Sequence, residues 1–234
     1  MSDYYSPVAE FYDLVARAHG EGELKLRERL RLLDPAGGPV LDIGAGTGRT
    51  TLAVAETVPD VEILAVEPAP AMRAMLMNMV VRDPALSRRV TVIAEPVENL
   101  TLPERLGAVI AYGVLGHLDF EARQRLWRSL LPRLSSGAPI FVELLPIEKP
   151  MQLPTLPLAS ATIGRRSYTA TLDGEPGEGD IMRLTSTWVA TGGPSPPQTI
   201  RNTSIWHTFG LDDLARETGL RAERLSQQAG VLYV

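Results

Sequence analysis

Three glycines on alternate positions, Gly44, Gly46 and Gly48, end the segment PVLDIGAGTG at residues 39–48, and no other stretch limits the fold as tightly. Ahead of them Val40, Leu41 and Ile43 make an apolar run short enough for one buried parallel strand, interrupted by Asp42. Behind them TTLAVAETV carries apolar residues at helical spacing. Strand, glycine turn and helix in that order make a nucleotide-binding turn, in which glycine accepts positive φ and leaves bare main chain for a ligand. The spacing separates ligands. A diphosphate cradle reads G-x-G-x-x-G and sets the phosphates on the helix N-terminus. Here G-x-G-x-G follows an acid by two residues, an arrangement better suited to a zwitterionic or neutral ligand.

LDIGAGTG resembles the first motif of class I S-adenosylmethionine-dependent methyltransferases, and the resemblance runs from about Val40 to Leu145. It implies an α/β fold: a doubly wound, mostly parallel seven-stranded sheet that finishes in an antiparallel hairpin. It also implies S-adenosylmethionine as cofactor and S-adenosylhomocysteine as product. Asp42, Gly44, Ala45, Gly46 and Thr47 then form the turn under the methionine moiety. Glu67 ends the next expected strand, one helix beyond the turn. A carboxylate at the carboxyl end of a second parallel strand can accept both ribose hydroxyls, and the resemblance gives Glu67 that role, with Pro68 beside it. Met72 matches a position that packs on adenine. Glu95 aligns with the acid that takes the adenine amino group; Pro96 has no N–H, which leaves Val97 as backbone donor. Tyr112 and Gly113 would line the methionine half, with His117 near the transferable methyl. Ala108 stands where family members usually carry an acid. YSPVAEFYDLV is similar to the lid segment of small-molecule methyltransferases, which makes Tyr4, Tyr5 and Tyr12 candidates for cofactor or substrate contact.

The rest of the chain is divided by composition. Residues 1–36 read as a helical lid broken at Gly20-Glu21-Gly22, and residues 37–146 as the cofactor-binding core. A helix is expected from Asp119 to Leu134, and APIFVELL (138–145) is the fifth strand, with Glu143 near its end. From Pro146 prolines multiply and three alternating runs follow: RRSYTATL, DIMRLTSTWVA and QTIRNTSIWHTF. They predict an antiparallel β insert at 147–208, a substrate lid or a dimer contact, with one threonine-rich face. Trp188 and Trp206 fall on the other side of their strands or on opposite sheets. Residues 209–234 return as a helix capped by Asp212 or a neighbour, then the hairpin.

Methyl transfer requires an aligned acceptor and exclusion of water; a hydroxyl acceptor also needs a base that titrates near neutrality. Of three histidines, His117 is the first base candidate and His207, at the end of the insert, the second; His19 sits in the N-terminal helix. Tyr112 completes the catalytic candidates. Tyr4, Tyr5, His117, Glu143 and Trp206 are the substrate candidates. Cysteine is absent, and the histidines are too scattered for a metal site. The net charge of −5 and the lack of a dense Lys/Arg cluster argue against nucleic acid, and no apolar run long enough for a membrane occurs. The expectation is a soluble, cytoplasmic enzyme of specialised metabolism that methylates nitrogen, oxygen or carbon of a small molecule. An exposed edge of the insert sheet would allow a homodimer. Two other readings are open: a fold relative that binds the cofactor but catalyses another reaction such as a cyclisation, and a non-catalytic partner subunit.

Overall fold

The computed structural model describes residues 4–18 and 20–234; His19 lies outside them. In chain order the elements are α1 (Ala9–Ala18), α2 (Gly20–Leu30), β1 (Val40–Ile43), α3 (Arg49–Thr57), β2 (Ile63–Val66), α4 (Pro70–Arg82), α5 (Pro84–Arg89) and β3 (Val90–Ile93). There follow β4 (Ala108–Tyr112), α6 (Phe120–Leu130), β5 (Pro139–Glu143), β6 (Leu153–Ile163), β7 (Arg166–Pro176), β8 (Ile181–Thr191), β9 (Gln198–His207), α7 (Leu211–Thr218), β10 (Arg221–Arg224) and β11 (Ala229–Tyr233). They fall into two compact units, residues 21–146 with 209–234, and residues 1–20 with 147–208. The N-terminal segment is therefore shared: α1 belongs with the insert, and α2 from Glu21 onward with the core.

The core unit is one seven-stranded sheet in the order β10-β11-β5-β4-β1-β2-β3. β1 to β5 run parallel, and β11 and β10 close the sheet by antiparallel pairing on β5. The parallel strands are mostly apolar because both faces of the central ones are covered, with Asp42 a buried exception in β1. Alternation divides their side chains. Leu41, Ile43, Val109, Ala111, Ile140 and Val142 pack with α6 and α7. Val40, Ala108, Ile110 and Phe141 pack with α2, α3 and α4 on the other face. Sheet order reverses at β1, so the crevice beyond the carboxyl ends of β1 and β4 is where an open α/β sheet takes its ligand.

Two element boundaries differ from the sequence reading. α6 ends at Leu130 and passes into a 3-10 turn, Leu131–Arg133, because Pro132 cannot donate to the helical ladder. Asp119 does cap the helix, accepting from Ala122 N–H at 2.7 Å. α7 starts at Leu211 with Gly210 as its N-cap, whose N–H donates to Asp213 at 2.8 Å; the capping carboxylate is Asp213, the neighbour of Asp212. Gly20 and Gly22 stand in the first turn of α2 instead of between two helices. The reason lies in packing: a Cβ on Gly22 would come within 2.6 Å of Glu143 Oε1.

The insert unit is a four-stranded antiparallel sheet, β6-β7-β8-β9. Sequence reasoning found three of these strands and missed β6. Pro154 and Pro157 disguise it, and such residues are tolerated only at an edge, where β6 lies; its register also shifts at both prolines. Trp206 pairs with Met182, an even number of residues before Trp188 on β8, so both tryptophans share one face of one sheet. Thr169, Thr171, Thr185, Thr187, Thr199 and Thr203 take the other. Phe11 of α1 packs against Tyr168 and Trp188 at ring distances of 5.6 and 5.5 Å. It is 1% exposed, and its burial stabilises the unit by roughly 1.5–3 kcal/mol.

Candidate active site

β1 ends in Asp42 and Ile43, and the chain turns at once through Gly44, Ala45, Gly46 and Thr47. Gly44 and Gly46 hold φ of 68° and 59°, in the left-handed region that a side chain disfavours. A Cβ on Gly44 would also meet Val114 Cγ2 at 3.0 Å. The turn is pinned on three sides. Ala45 N–H donates to Val66 O at 2.9 Å, Gly46 N–H donates to Glu67 Oε2 at 2.8 Å, and Gly48 N–H returns to Ala45 O at 2.9 Å.

Asp42 is 1% exposed, beneath the turn. Its Oδ2 accepts from Thr50 and Thr51 hydroxyls at 2.7 and 2.6 Å, which ties β1 to the start of α3. Oδ1 has no hydrogen-bond partner. Burial, opposed by the two hydroxyls and reinforced by the Glu67 charge, pushes the carboxyl up to about 6. Glu67 is 6% exposed; its Oε1 accepts from Ala69 N–H at 2.7 Å and its Oε2 from Gly46. Both of these donors are main-chain N–H groups, which fix the carboxylate at the carboxyl end of β2. Arg73, which sequence reasoning missed, donates through Nη1 to the carbonyls of Glu67 and Pro68 at 2.8 and 2.9 Å. Its place one turn into α4 was the available signal. Met72 is buried on α4, 2% exposed, and Pro68 is exposed.

On β3's side, Glu95 is exposed, and Pro96 caps a 3-10 turn, Val97–Asn99, that begins with the Val97 amide. At the end of β4, Gly113 adopts φ 64° with nothing within 4 Å of a notional Cβ, and its N–H donates to Glu143 O at 3.1 Å. Tyr112 pairs in register with Glu143, and its hydroxyl donates to Gly22 O at 3.4 Å. Burial and the Glu143 carboxylate both push the Tyr112 phenol upward. A 3-10 turn, Leu115–His117, follows, and burial lowers His117 to about 4.

The core unit thus gathers Asp42, Gly44 to Thr47, Glu67, Pro68, Met72, Glu95 to Val97, Tyr112, Gly113, His117 and Glu143 at the carboxyl ends of β1 to β5. Tyr4, Tyr5, Tyr12, Trp206 and His207 belong to the insert unit. There Tyr5 stacks edgewise between Tyr4 and Tyr12, and the Tyr4 hydroxyl lies 3.2 Å from Ser186 Oγ. Trp206 is 7% exposed, and His207 Nδ1 sits 3.0 Å from Asp180 Oδ1. Among the described residues no helix is long and apolar enough to cross a membrane, and no group of three His, Asp or Glu could hold a metal.

Residues 40–137 match the family model described as a methyltransferase domain. By sequence alone no curated protein matches the chain. Among solved structures it is similar to CalS10, described as an amino pentose methyltransferase of calicheamicin biosynthesis from Micromonospora echinaspora, at 16% identity and TM-score 0.75, covering 95% of both chains. DesVI of Streptomyces venezuelae aligns at 16% identity and TM-score 0.77 over 96% of this chain and 97% of that one. KedS8, a sugar N-methyltransferase from Streptoalloteichus sp ATCC 53650, aligns at 18% and 0.71 over 95% and 92%. At these identities the likeness is one of fold.

The chain carries a methyltransferase domain over residues 40–137, and its sheet order and glycine turn are those of the class I S-adenosylmethionine-dependent methyltransferase fold. S-Adenosylmethionine is its cofactor, and the residues present fit it. The orphaned Asp42 Oδ1 offers an acceptor for a cationic group, the glycine turn offers bare main chain, and Glu67 sets a carboxylate at the end of β2 beside that turn.

Proposed function

We propose that this enzyme methylates an amine nitrogen on a small, sugar-like molecule of specialised metabolism. The observation that carries the reading is the half-buried setting of Tyr112 and His117 at and just beyond the end of β4. His117, lowered to about 4 by burial, is neutral and only weakly basic at physiological pH, and Tyr112 keeps its proton. An alcohol acceptor needs a base poised near neutrality, whereas a free amine already presents its lone pair. The description of CalS10 as an amino pentose methyltransferase and of KedS8 as a sugar N-methyltransferase supports the same acceptor class.

Bound S-adenosylmethionine supplies an electrophilic methyl on a sulfonium sulfur for in-line displacement. The chain's residues orient and exclude water. Glu67 holds the ribose, Asp42 and the glycine turn hold the methionine portion, and Met72, Glu95 and Val97 address the adenine. Tyr112 and Gly113 line the methionine side. Glu143 and neutral His117 accept hydrogen bonds from the N–H groups of the neutral amine, which leaves its lone pair to the methyl. Tyr4, Tyr5, Tyr12, Trp206 and His207 of the insert unit are candidates for acceptor contact. In the insert sheet β6 is guarded by prolines and β9 is not, so β9 is the edge on which a second copy would pair. A sizing-column mass of one chain would exclude that dimer.

The test of the acceptor is a panel of amino sugars with matched hydroxyl analogues, incubated with enzyme and S-adenosylmethionine and read by mass spectrometry and S-adenosylhomocysteine release. Methylation confined to the amines is the expected result. Turnover of the hydroxyl analogues at comparable rate would replace this reading by O-methylation.

A further inference from the structure

Arg123 lies in the first turns of α6 and is 2% exposed, an unusual place for a guanidinium. Every face of it is used. Nε and Nη2 form a fork on Glu217 of α7, at 3.1 Å to Oε2 and 2.6 Å to Oε1. Trp127 Nε1 donates to the same Glu217 Oε2 at 3.3 Å, and the Arg123 Cζ stands 4.0 Å from the Phe209 ring centroid. Nη1 donates to the backbone carbonyl of Leu118 at 2.9 Å. That last bond is the informative one. Leu118 closes the 3-10 turn that carries His117: His117 N–H donates to Val114 O and Leu118 N–H to Leu115 O, at 3.0 and 3.1 Å. At the front of this turn Gly113 is tied to β5 through Glu143 O, and Val114 fills the space that a Cβ on Gly44 of the glycine turn would need, with Cγ2 3.0 Å from that position.

We propose that Arg123, seated by Glu217, is a positioning residue for the cofactor pocket: it clamps the rear of the 113–118 turn and thereby fixes Val114 against Gly44 and His117 at the sheet edge. The proposal rests on the cofactor site described above. It also explains why α6 and α7 are joined by an ion pair where apolar residues of similar size would serve stability equally well. Lysine cannot replace the arginine, since a single ammonium cannot fork onto Glu217 and reach Leu118 O together.

The experiment compares wild type, Arg123→Lys, the double variant Arg123→Met with Glu217→Gln, and the control Leu86→Ala in α5, which is buried 4% exposed away from this cluster. The double variant removes both charges and keeps an acceptor for Trp127, so it should unfold near the wild-type temperature. S-Adenosylhomocysteine affinity is measured by calorimetry, and the His117 imidazole resonance is followed by NMR against pH, assigned with His117→Asn. Arg123→Lys and the double variant are expected to weaken binding roughly tenfold or more, as loss of about 1.4 kcal/mol would. Their His117 midpoint should rise toward the ordinary histidine value as the turn loosens. Leu86→Ala should lose stability and keep both properties. Wild-type affinity and midpoint in the double variant would overturn the proposal and reduce the pair to a structural tie. Equal losses in Leu86→Ala would overturn it too. Failure of wild type itself to bind would count instead against the cofactor site on which the proposal stands.

Discussion

At the scale of single residues, two buried carboxylates under one turn carry different tasks because they have different partners. Glu67 receives two main-chain N–H groups, so its charge is supported before any ligand arrives. Glu67→Gln leaves one acceptor where two were used, and hydrogen bonds to a charged group are worth about 1.5–3 kcal/mol each. We expect a 10- to 100-fold rise in the dissociation constant for S-adenosylhomocysteine by calorimetry; a change under threefold would argue against the ribose role. Asp42 holds an oxygen with no partner and titrates at about 6 in the fold against 3.8 ordinarily. Between those values the folded protein keeps a proton that the unfolded chain has released. Stability therefore falls as pH rises from 3.8 to about 6 and is level above, a loss of about 3 kcal/mol at neutrality. Asp42→Asn should flatten this slope in thermal unfolding, hold the midpoint at neutral pH at or above wild type, and still weaken cofactor binding. A slope equal to wild type would show that the carboxyl is not the source. His117 behaves oppositely: its neutral form is favoured, so it costs stability only as pH falls from 6.5 toward 4.

At the scale of elements, the strand–turn–helix of residues 40–57 was legible because local chemistry and tertiary role agree: apolar strand, left-handed glycines, amphipathic helix. Glu67 and Asp42 were legible through it. What sequence did not show were the supports: Thr50 and Thr51 under Asp42, Arg73 over the Glu67 carbonyls, Arg123 behind Leu118. Each is a common residue type five to nine residues from its partner, whose task exists only once strand or turn and the following helix have folded against each other. β6 was illegible for another reason. Its prolines are strand breakers everywhere except on an edge, and edge placement is a property of the sheet and not of the segment. Those prolines also leave fewer donors for an incoming chain. Pro154→Thr with Pro157→Thr should keep the fold by circular dichroism and introduce concentration-dependent association by light scattering. A variant with the same mass as wild type at every concentration would remove this role.

At the scale of the whole molecule, the cofactor candidates from Asp42 to Gly113 lie in one unit, assembled from residues 21–146 and 209–234, and Tyr12 lies in the other. Ligand at 100 times its dissociation constant adds about 2.7 kcal/mol to stability. Hydrogen exchange with S-adenosylhomocysteine should therefore slow the amides of residues 44–48, 67–69 and 113–118. Protection confined to 153–207 would contradict this site. The division of labour between the two units was partly visible in the shift to proline-rich alternation after Pro146. The partition of the N-terminal segment at residues 20 and 21 was not, since nothing in its helical pattern says which neighbour a helix will choose.

The sheet order has a consequence for synthesis. β11 is the latest strand in the chain, yet it sits between β5 and β10, and it satisfies the edge of β5 from Pro139 to Glu143. While a ribosome is still making the insert, β1 to β5 can pair, but β5 must wait with one row of donors and acceptors bare through more than sixty residues of translation, from 144 to 228. The nascent chain is most open to mispairing during that interval, and the residues at risk end at Glu143, the register partner of Tyr112 on β4.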